Sequence, residues 1–157
     1  MSGSTPLKVA VAGLGTVGGG TVRLLATDPE GLARRAGRPI EVVAVSARRR
    51  HADRGLDLAP YRFYDDALAL AELAEVDVVV ELMGGEAGIA LELPRAALDR
   101  GKHVVTANKA MLARHGAELA IQAEERGLAL AFEAAVAGGI PIVKSLREGL
   151  AGDRIER

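Results

Sequence analysis

An apolar run, Val9-Ala10-Val11-Ala12, leads without a break into Gly13-Leu14-Gly15-Thr16-Val17-Gly18, and a helical pattern follows at once. Strand, glycine loop and helix in that order open a βαβ unit, and the GxGxxG spacing limits what the turn between them can be. Gly13 permits a tight turn, Gly15 lets the backbone approach a pyrophosphate with no Cβ in the way, and Gly18 lets the new helix pack closely. Free N–H groups and the positive end of the helix dipole then face an anion. The whole hexapeptide, with Leu14, Thr16 and Val17 between the glycines, is therefore a candidate dinucleotide-phosphate loop. A chain with 19 glycines produces such spacings readily, so the flanking pattern carries the weight: Val17, Val22 and Leu25 are spaced as one apolar helix face.

Further along, short β-branched runs alternate with alanine- and leucine-rich stretches, which is the pattern of βαβ units around a parallel sheet covered on both faces. The spacing predicts strands near 7–12, 40–46, 77–81, 102–106 and 128–133, and helices near 16–27, 66–74, 88–100, 109–126 and 139–149. The expected fold is α/β, a doubly wound parallel sheet of Rossmann type, with residues 1–6 as a flexible lead-in and 7–157 as one domain. Residues 28–39 read as a lengthened helix-to-strand connection and 47–60 as a polar, arginine-rich loop. At 157 residues one core suffices, burying about 70% of the surface the unfolded chain exposes.

Composition excludes several classes of function. Zero cysteines rule out a disulfide framework, a thiolate zinc site and a cysteine nucleophile. A net charge of −1 gives no electrostatic argument for nucleic acid or an anionic membrane, and 3% aromatic residues are too few for base-stacking platforms. No apolar run reaches the length of about 18 residues that a spanning helix needs, and Met1 to Thr5 has neither the charge nor the apolar core of a signal peptide. A soluble, cytoplasmic protein is the expectation. His51, His103 and His115 show no metal-ligand spacing and read as solvated or locally hydrogen-bonded rings.

Four separated segments point the same way. The glycine loop with Gly19-Gly20, then Val80-Glu81-Leu82-Met83-Gly84-Gly85, then Val105-Thr106-Ala107-Asn108-Lys109, then Phe132-Glu133-Ala134-Ala135-Val136-Ala137-Gly138-Gly139-Ile140-Pro141-Ile142 resemble homoserine dehydrogenases over nearly the whole chain. The resemblance implies an oxidoreductase interconverting L-homoserine and L-aspartate 4-semialdehyde with a nicotinamide cofactor, in the biosynthesis of threonine, methionine and isoleucine. It also implies a homodimer for the complete enzyme, and a substrate and catalytic domain, with a second lysine and substrate-holding acidic residues, beyond the point where this chain ends. On that reading the 157-residue chain is the cofactor-binding part and turns over poorly or not at all alone.

The second strand ends in Ser46-Ala47-Arg48-Arg49-Arg50, where an enzyme using NAD usually presents a carboxylate to the adenosine ribose. Guanidinium groups match phosphate oxygens bidentately, so Arg48 and Arg49 favour the 2′-phosphate of NADP, with NAD possible; a solvated loop is the other reading. Met83, Gly84 and Gly85 follow an apolar strand and fall where the nicotinamide-side ribose would lie, although a plain turn explains them too. The role of Glu81, which ends that strand, is not decided by the pattern. Lys109 opens a helix after the strand Val104-Val105-Thr106, a place from which an ammonium reaches a carbonyl or hydroxyl, and the resemblance puts the matching lysine in the active site, in contact with cofactor and substrate.

The resemblance alone implies a monovalent cation, commonly sodium, held by Glu133, Val136, Gly138 and Ile140. Three of these would contribute only backbone carbonyls, which suit a hard cation. Two other readings stay open: another NAD(P)-dependent small-molecule dehydrogenase, and a non-catalytic nucleotide-binding module.

Overall fold

The computed structural model describes residues 4–50, 52 and 54–152; the first three residues of the expected lead-in, His51, Asp53 and residues 153–157 lie outside the described residues. Six strands, β1 (Leu7–Ala12), β2 (Ile40–Ser46), β3 (Arg62–Tyr64), β4 (Val78–Glu81), β5 (His103–Thr106) and β6 (Leu130–Ala131), form one sheet in the order β3-β2-β1-β4-β5-β6. Every pairing is parallel. The helices are α1 (Thr16–Thr27), α2 (Pro29–Ala36), α3 (Ala69–Glu72), α4 (Ile89–Asp99), α5 (Lys109–Glu125) and α6 (Ile142–Lys144). Winding runs outward from β1 through β2 to β3, then restarts at β4 on the other side of β1. This reversal leaves a crevice beyond the carboxyl ends of β1 and β4, the place where ligands of doubly wound sheets bind.

Alternation along the strands sorts the core into two layers. Val9 and Val11 of β1, Val45 of β2 and Val78 and Val80 of β4 pack with Val22 of α1 and Leu14 on one face. Ala10 and Ala12, Ala44 and Val79 point the other way and meet Leu93 and Leu98 of α4, Met111 and Leu119 of α5, and Leu70 of α3. Alanines under α4 and α5 keep that layer thin, so long helical side chains fill it. The register between β1 and β2 slips by one residue after Val9, where Val43 is the extra residue. That bulge turns both Val43 and Ala44 toward the α3–α5 layer.

The architecture is the expected one, with four local corrections. Residues 28–39 are not a plain connection: Asp28 accepts the Gly31 N–H at 2.8 Å, Pro29 occupies the first turn, and Gly37 ends α2 in a left-handed conformation at φ +75°. Those are ordinary helix start and stop signals. A three-residue edge strand, β3, follows the arginine-rich loop, too short for any period to show. The last strand is limited to Leu130–Ala131, and Glu133 starts a 3-10 turn instead of ending a strand. The final helix is a single turn at Ile142–Lys144 that widens into a π-helical turn at Ser145–Gly149.

One expectation about α1 also fails. Val17 is 56% exposed, and the face α1 buries is Gly18, Gly19 and Val22. The reason is the closeness of the helix to its own loop: a Cβ on Gly18 would stand 1.7 Å from the Gly13 carbonyl oxygen. Glycines, not valines, make the contact. Gly18→Ala is expected to destabilise the fold by about 2–3 kcal/mol and lower Tm by about 5–10 °C. Gly20→Ala, where the added carbon meets nothing within 4 Å, should hold or raise Tm in the same thermal melt. Equal melting of the two variants would contradict the contact.

Candidate functional site

The glycine loop is fixed from three sides. Gly13 donates its N–H to the Ser46 carbonyl at 2.8 Å, Leu82 donates to the Ala12 carbonyl at 2.8 Å, and Gly13 itself sits at φ +93°. A Cβ there would meet the Leu82 carbonyl oxygen at 2.7 Å, so position 13 excludes a side chain by conformation and by space. Gly15 differs: it has nothing within 4 Å of its Cβ position, and α1 begins there with no side-chain cap. Open space before uncapped helix amides is the arrangement that takes an anion.

A cleft of about 940 Å3 opens from this loop, lined by Gly13, Leu14, Gly15 and Thr16, by Arg48 and Arg49, and by Met83 and Gly84. The structure thus brings together eight of the residues proposed from sequence. Val17 faces solvent, Gly18 is buried beneath the loop, and neither they nor Gly85 and Lys109 line the cleft.

The three consecutive arginines separate. Arg50 places its guanidinium 5.2 Å from the centre of the Phe63 ring on β3, while Arg48 and Arg49 face the cleft. Sequence reasoning missed Arg54, which holds this loop in place. Its Nε donates to the Leu14 carbonyl at 3.1 Å, Nη1 to the carbonyls of Ala52 at 2.9 Å and Arg50 at 3.3 Å, and Nη2 to that of Arg49. One side chain therefore ties the arginine loop to the glycine loop. Arg23 of α1 adds a bond to the Arg54 carbonyl at 3.2 Å. Asp65 and Asp66 also line the cleft, carried there by β3, which no sequence signal had announced. The only available hint was the Phe-Tyr pair after a proline-closed loop.

At the switch point between β4 and β5 lies a buried polar ring. Glu81, the last residue of β4, is 0% exposed and accepts the Met83 N–H at 2.7 Å on one oxygen and the Thr106 hydroxyl at 2.6 Å on the other. Thr106 accepts the Asn108 N–H at 3.0 Å. Asn108 caps α5 by accepting the Met111 N–H at 3.1 Å, and its Nδ2 donates to the Gly85 carbonyl at 2.7 Å. The ring joins the Met83–Gly85 loop to the start of α5, where exposed Lys109 is the first helical residue. Burial pushes the Glu81 carboxyl above the ordinary range, against the pull of its hydrogen bonds from Thr106 and Met83.

The Glu133 segment forms a separate site. Its carboxylate accepts the Val143 and Lys144 N–H groups at 3.0 and 3.1 Å, so it caps α6. Between them the chain passes through Val136, Gly138 at φ +47° and Ile140, whose carbonyl takes the Ile142 N–H at 2.8 Å. Among the described residues no group of three or more His, Cys, Asp or Glu could hold a metal, so any cation here would rest on backbone oxygens beside the single carboxylate of Glu133. Of the histidines, His103 accepts the Ala129 N–H at 3.0 Å and His115 lies 3.8 Å from Glu118.

Residues 13–133 match the family model described as "Homoserine dehydrogenase, NAD binding domain". The chain belongs to this homoserine dehydrogenase family. Homoserine dehydrogenase of Pseudomonas aeruginosa is 51% identical over 150 residues, covering 96% of this chain and 34% of that protein. The Neisseria gonorrhoeae enzyme is 46% identical over 152 residues, again covering 96% of the chain and 34% of that protein. A crystal structure of a homoserine dehydrogenase from Thiobacillus denitrificans superposes with a TM-score of 0.89 at 45% identity, over 99% of this chain and 36% of that one. The chain spans about a third of the length of these relatives. Among the described residues no helix is long and apolar enough to cross a membrane.

The raised Glu81 carboxyl makes this homoserine dehydrogenase domain sensitive to pH in a definite direction. Above about pH 4.3 the unfolded chain releases the Glu81 proton while the folded chain retains it, so stability falls as pH rises, until the folded carboxyl ionises as well. Below that pH both states are protonated and the effect vanishes. The Glu81→Gln variant lacks this proton exchange, so its Tm relative to the unsubstituted chain should increase from pH 4 upward. A Tm difference independent of pH would contradict the shift.

Proposed function

We propose that this chain is the cofactor-binding part of a homoserine dehydrogenase that oxidises L-homoserine to L-aspartate 4-semialdehyde and prefers NADP. The observation that carries the reading is the single cleft in which an anion-ready glycine loop, two guanidinium groups and the Met83–Gly84 turn share one lining. Gly13 to Thr16 and the uncapped start of α1 would hold the pyrophosphate, and Arg48 and Arg49 the 2′-phosphate. A nicotinamide cofactor, when bound, supplies the acceptor for hydride. The alcohol would lose hydride from carbon to that acceptor and its hydroxyl proton to the second lysine that the resemblance implies outside this chain, while the ammonium of Lys109 would hydrogen-bond the oxygen as charge develops on it.

A second reading, NAD in place of NADP, is favoured by Asp65 and Asp66, since a carboxylate accepts from a ribose hydroxyl and repels a 2′-phosphate. The Glu133, Val136, Gly138 and Ile140 segment is proposed as a site for a monovalent cation such as sodium, on the chemistry of one carboxylate with carbonyl oxygens. Its fit is incomplete, because Glu133 also caps α6 and the Ile140 carbonyl already accepts a hydrogen bond.

Two experiments test the reading. In a fluorescence titration the chain should bind NADPH more tightly than NADH, and Arg48→Ala with Arg49→Ala should erase about tenfold of that preference. Tighter NADH binding would overturn the NADP preference. The second uses a hybrid in which this chain replaces the matching third of the Pseudomonas aeruginosa enzyme. Lys109→Ala there should lower kcat by roughly a hundredfold with NADPH affinity within about threefold. Unchanged turnover would remove Lys109 from catalysis.

A further inference from the structure

Glu81 is expensive to bury: a carboxylate withdrawn from water loses solvation that hydrogen bonds only partly replace. Among the described residues it makes no ion pair, so no cation repays that loss. Packing does not require it either, because valines occupy the three preceding positions of β4. What distinguishes position 81 is the direction of the hydrogen bonds around it. Met83 N–H and the Thr106 hydroxyl donate to the two oxygens of Glu81, and the Thr106 oxygen accepts in turn from the Asn108 N–H. A group that accepts on both oxygens answers those donors; a carboxamide turns one of them away.

The ring closes through the cofactor side. Asn108 reaches back from the start of α5 to the Gly85 carbonyl, so the loop after β4 and the helix bearing Lys109 are held by the same residues. Gly84 has open space at its Cβ position, and Gly85 likewise at φ +108°, so neither glycine would bring a side-chain contact to this loop. Met83 packs its side chain against the core, and beyond it the ring ties the loop to α5. We propose that Glu81 is a positioning residue, which through Thr106 and Asn108 sets the Met83–Gly85 loop against the start of α5 so that the nicotinamide half of the cofactor meets Lys109 in a preset geometry. The proposal rests on the reading of the cleft as a dinucleotide site. It assigns the adenosine half to a different set of residues, Arg48, Arg49 and the Gly15–Thr16 start of α1, to which the ring makes no hydrogen bond.

That division gives the test. Calorimetric titration compares NADPH with adenosine 2′,5′-bisphosphate, which contains only the adenosine half. Thr106→Val and Glu81→Gln should each weaken NADPH about tenfold and leave the bisphosphate within about twofold, while Thr106→Ser, which keeps the hydroxyl, should restore NADPH to within about twofold. Equal weakening of both ligands, or Thr106→Ser behaving like Thr106→Val, overturns the proposal. Should Thr106→Val not fold, Glu81→Gln alone carries the same comparison. If the unsubstituted chain binds neither probe, the cofactor reading falls, and amide hydrogen exchange decides the ring separately. Exchange at Gly84, Gly85 and Lys109 should then quicken about tenfold in Glu81→Gln with Val22 unchanged; unaltered exchange overturns the ring as a positioning device.

Discussion

At one place the backbone of this protein comes closer to itself than any side chain allows: Gly18 lies over the Gly13 carbonyl, and Gly13 lies against the Leu82 carbonyl. The first contact seats α1 on its own loop, and the second joins the ends of β1 and β4. Since β1 and β4 are the strands between which the winding reverses, these two contacts define the mouth of the crevice. The aligned amides at the start of α1 are presented to that mouth because nothing but hydrogen stands between helix and loop. Every other feature of the site is arranged around it. Arg54 fastens the arginine loop to Leu14, and the Glu81 ring fastens the β4 loop to α5.

These fastenings differ in their energetics. Arg54 works from the edge of the cleft through carbonyl acceptors, where a guanidinium keeps contact with water and loses little solvation. Glu81 works from the interior, where burial opposes its charge and stability declines once the unfolded chain can ionise. A buried carboxyl whose charge is disfavoured yet which is hydrogen-bonded on both oxygens fits the general observation that local rules are broken at functional places and offset elsewhere. Here the offset is the double-layered aliphatic core on either side of the sheet.

Strand and helix order was legible from the alternation of β-branched and alanine-leucine segments, because each buried strand needs a continuous apolar run and each helix an apolar stripe. The family was legible from four motifs. Missed elements had weaker signals: β3 offers three residues and no period, while α2 carried Asp28, Pro29 and Gly37 in plain order but little apolar content to support them. Val17 was misjudged because spacing alone names a helix face without saying which face is held down. The glycines decide that, by letting the loop come close on their side.

Sequence alone determined the covalent permissions of this protein: which positions lack a Cβ, where a donor or a charge exists, and the order in which strands and helices are made. Tertiary structure decided how those permissions were used. It sent Arg50 onto Phe63 and left Arg48 and Arg49 to the cleft, carried Asp65 and Asp66 in on an edge strand, and turned Glu81 from an undecided strand residue into the hub of a buried ring. The physical reason is distance. Glu81 and Thr106 are 25 residues apart in the chain and 2.6 Å apart in space, and only the parallel register of β4 beside β5 brings them together.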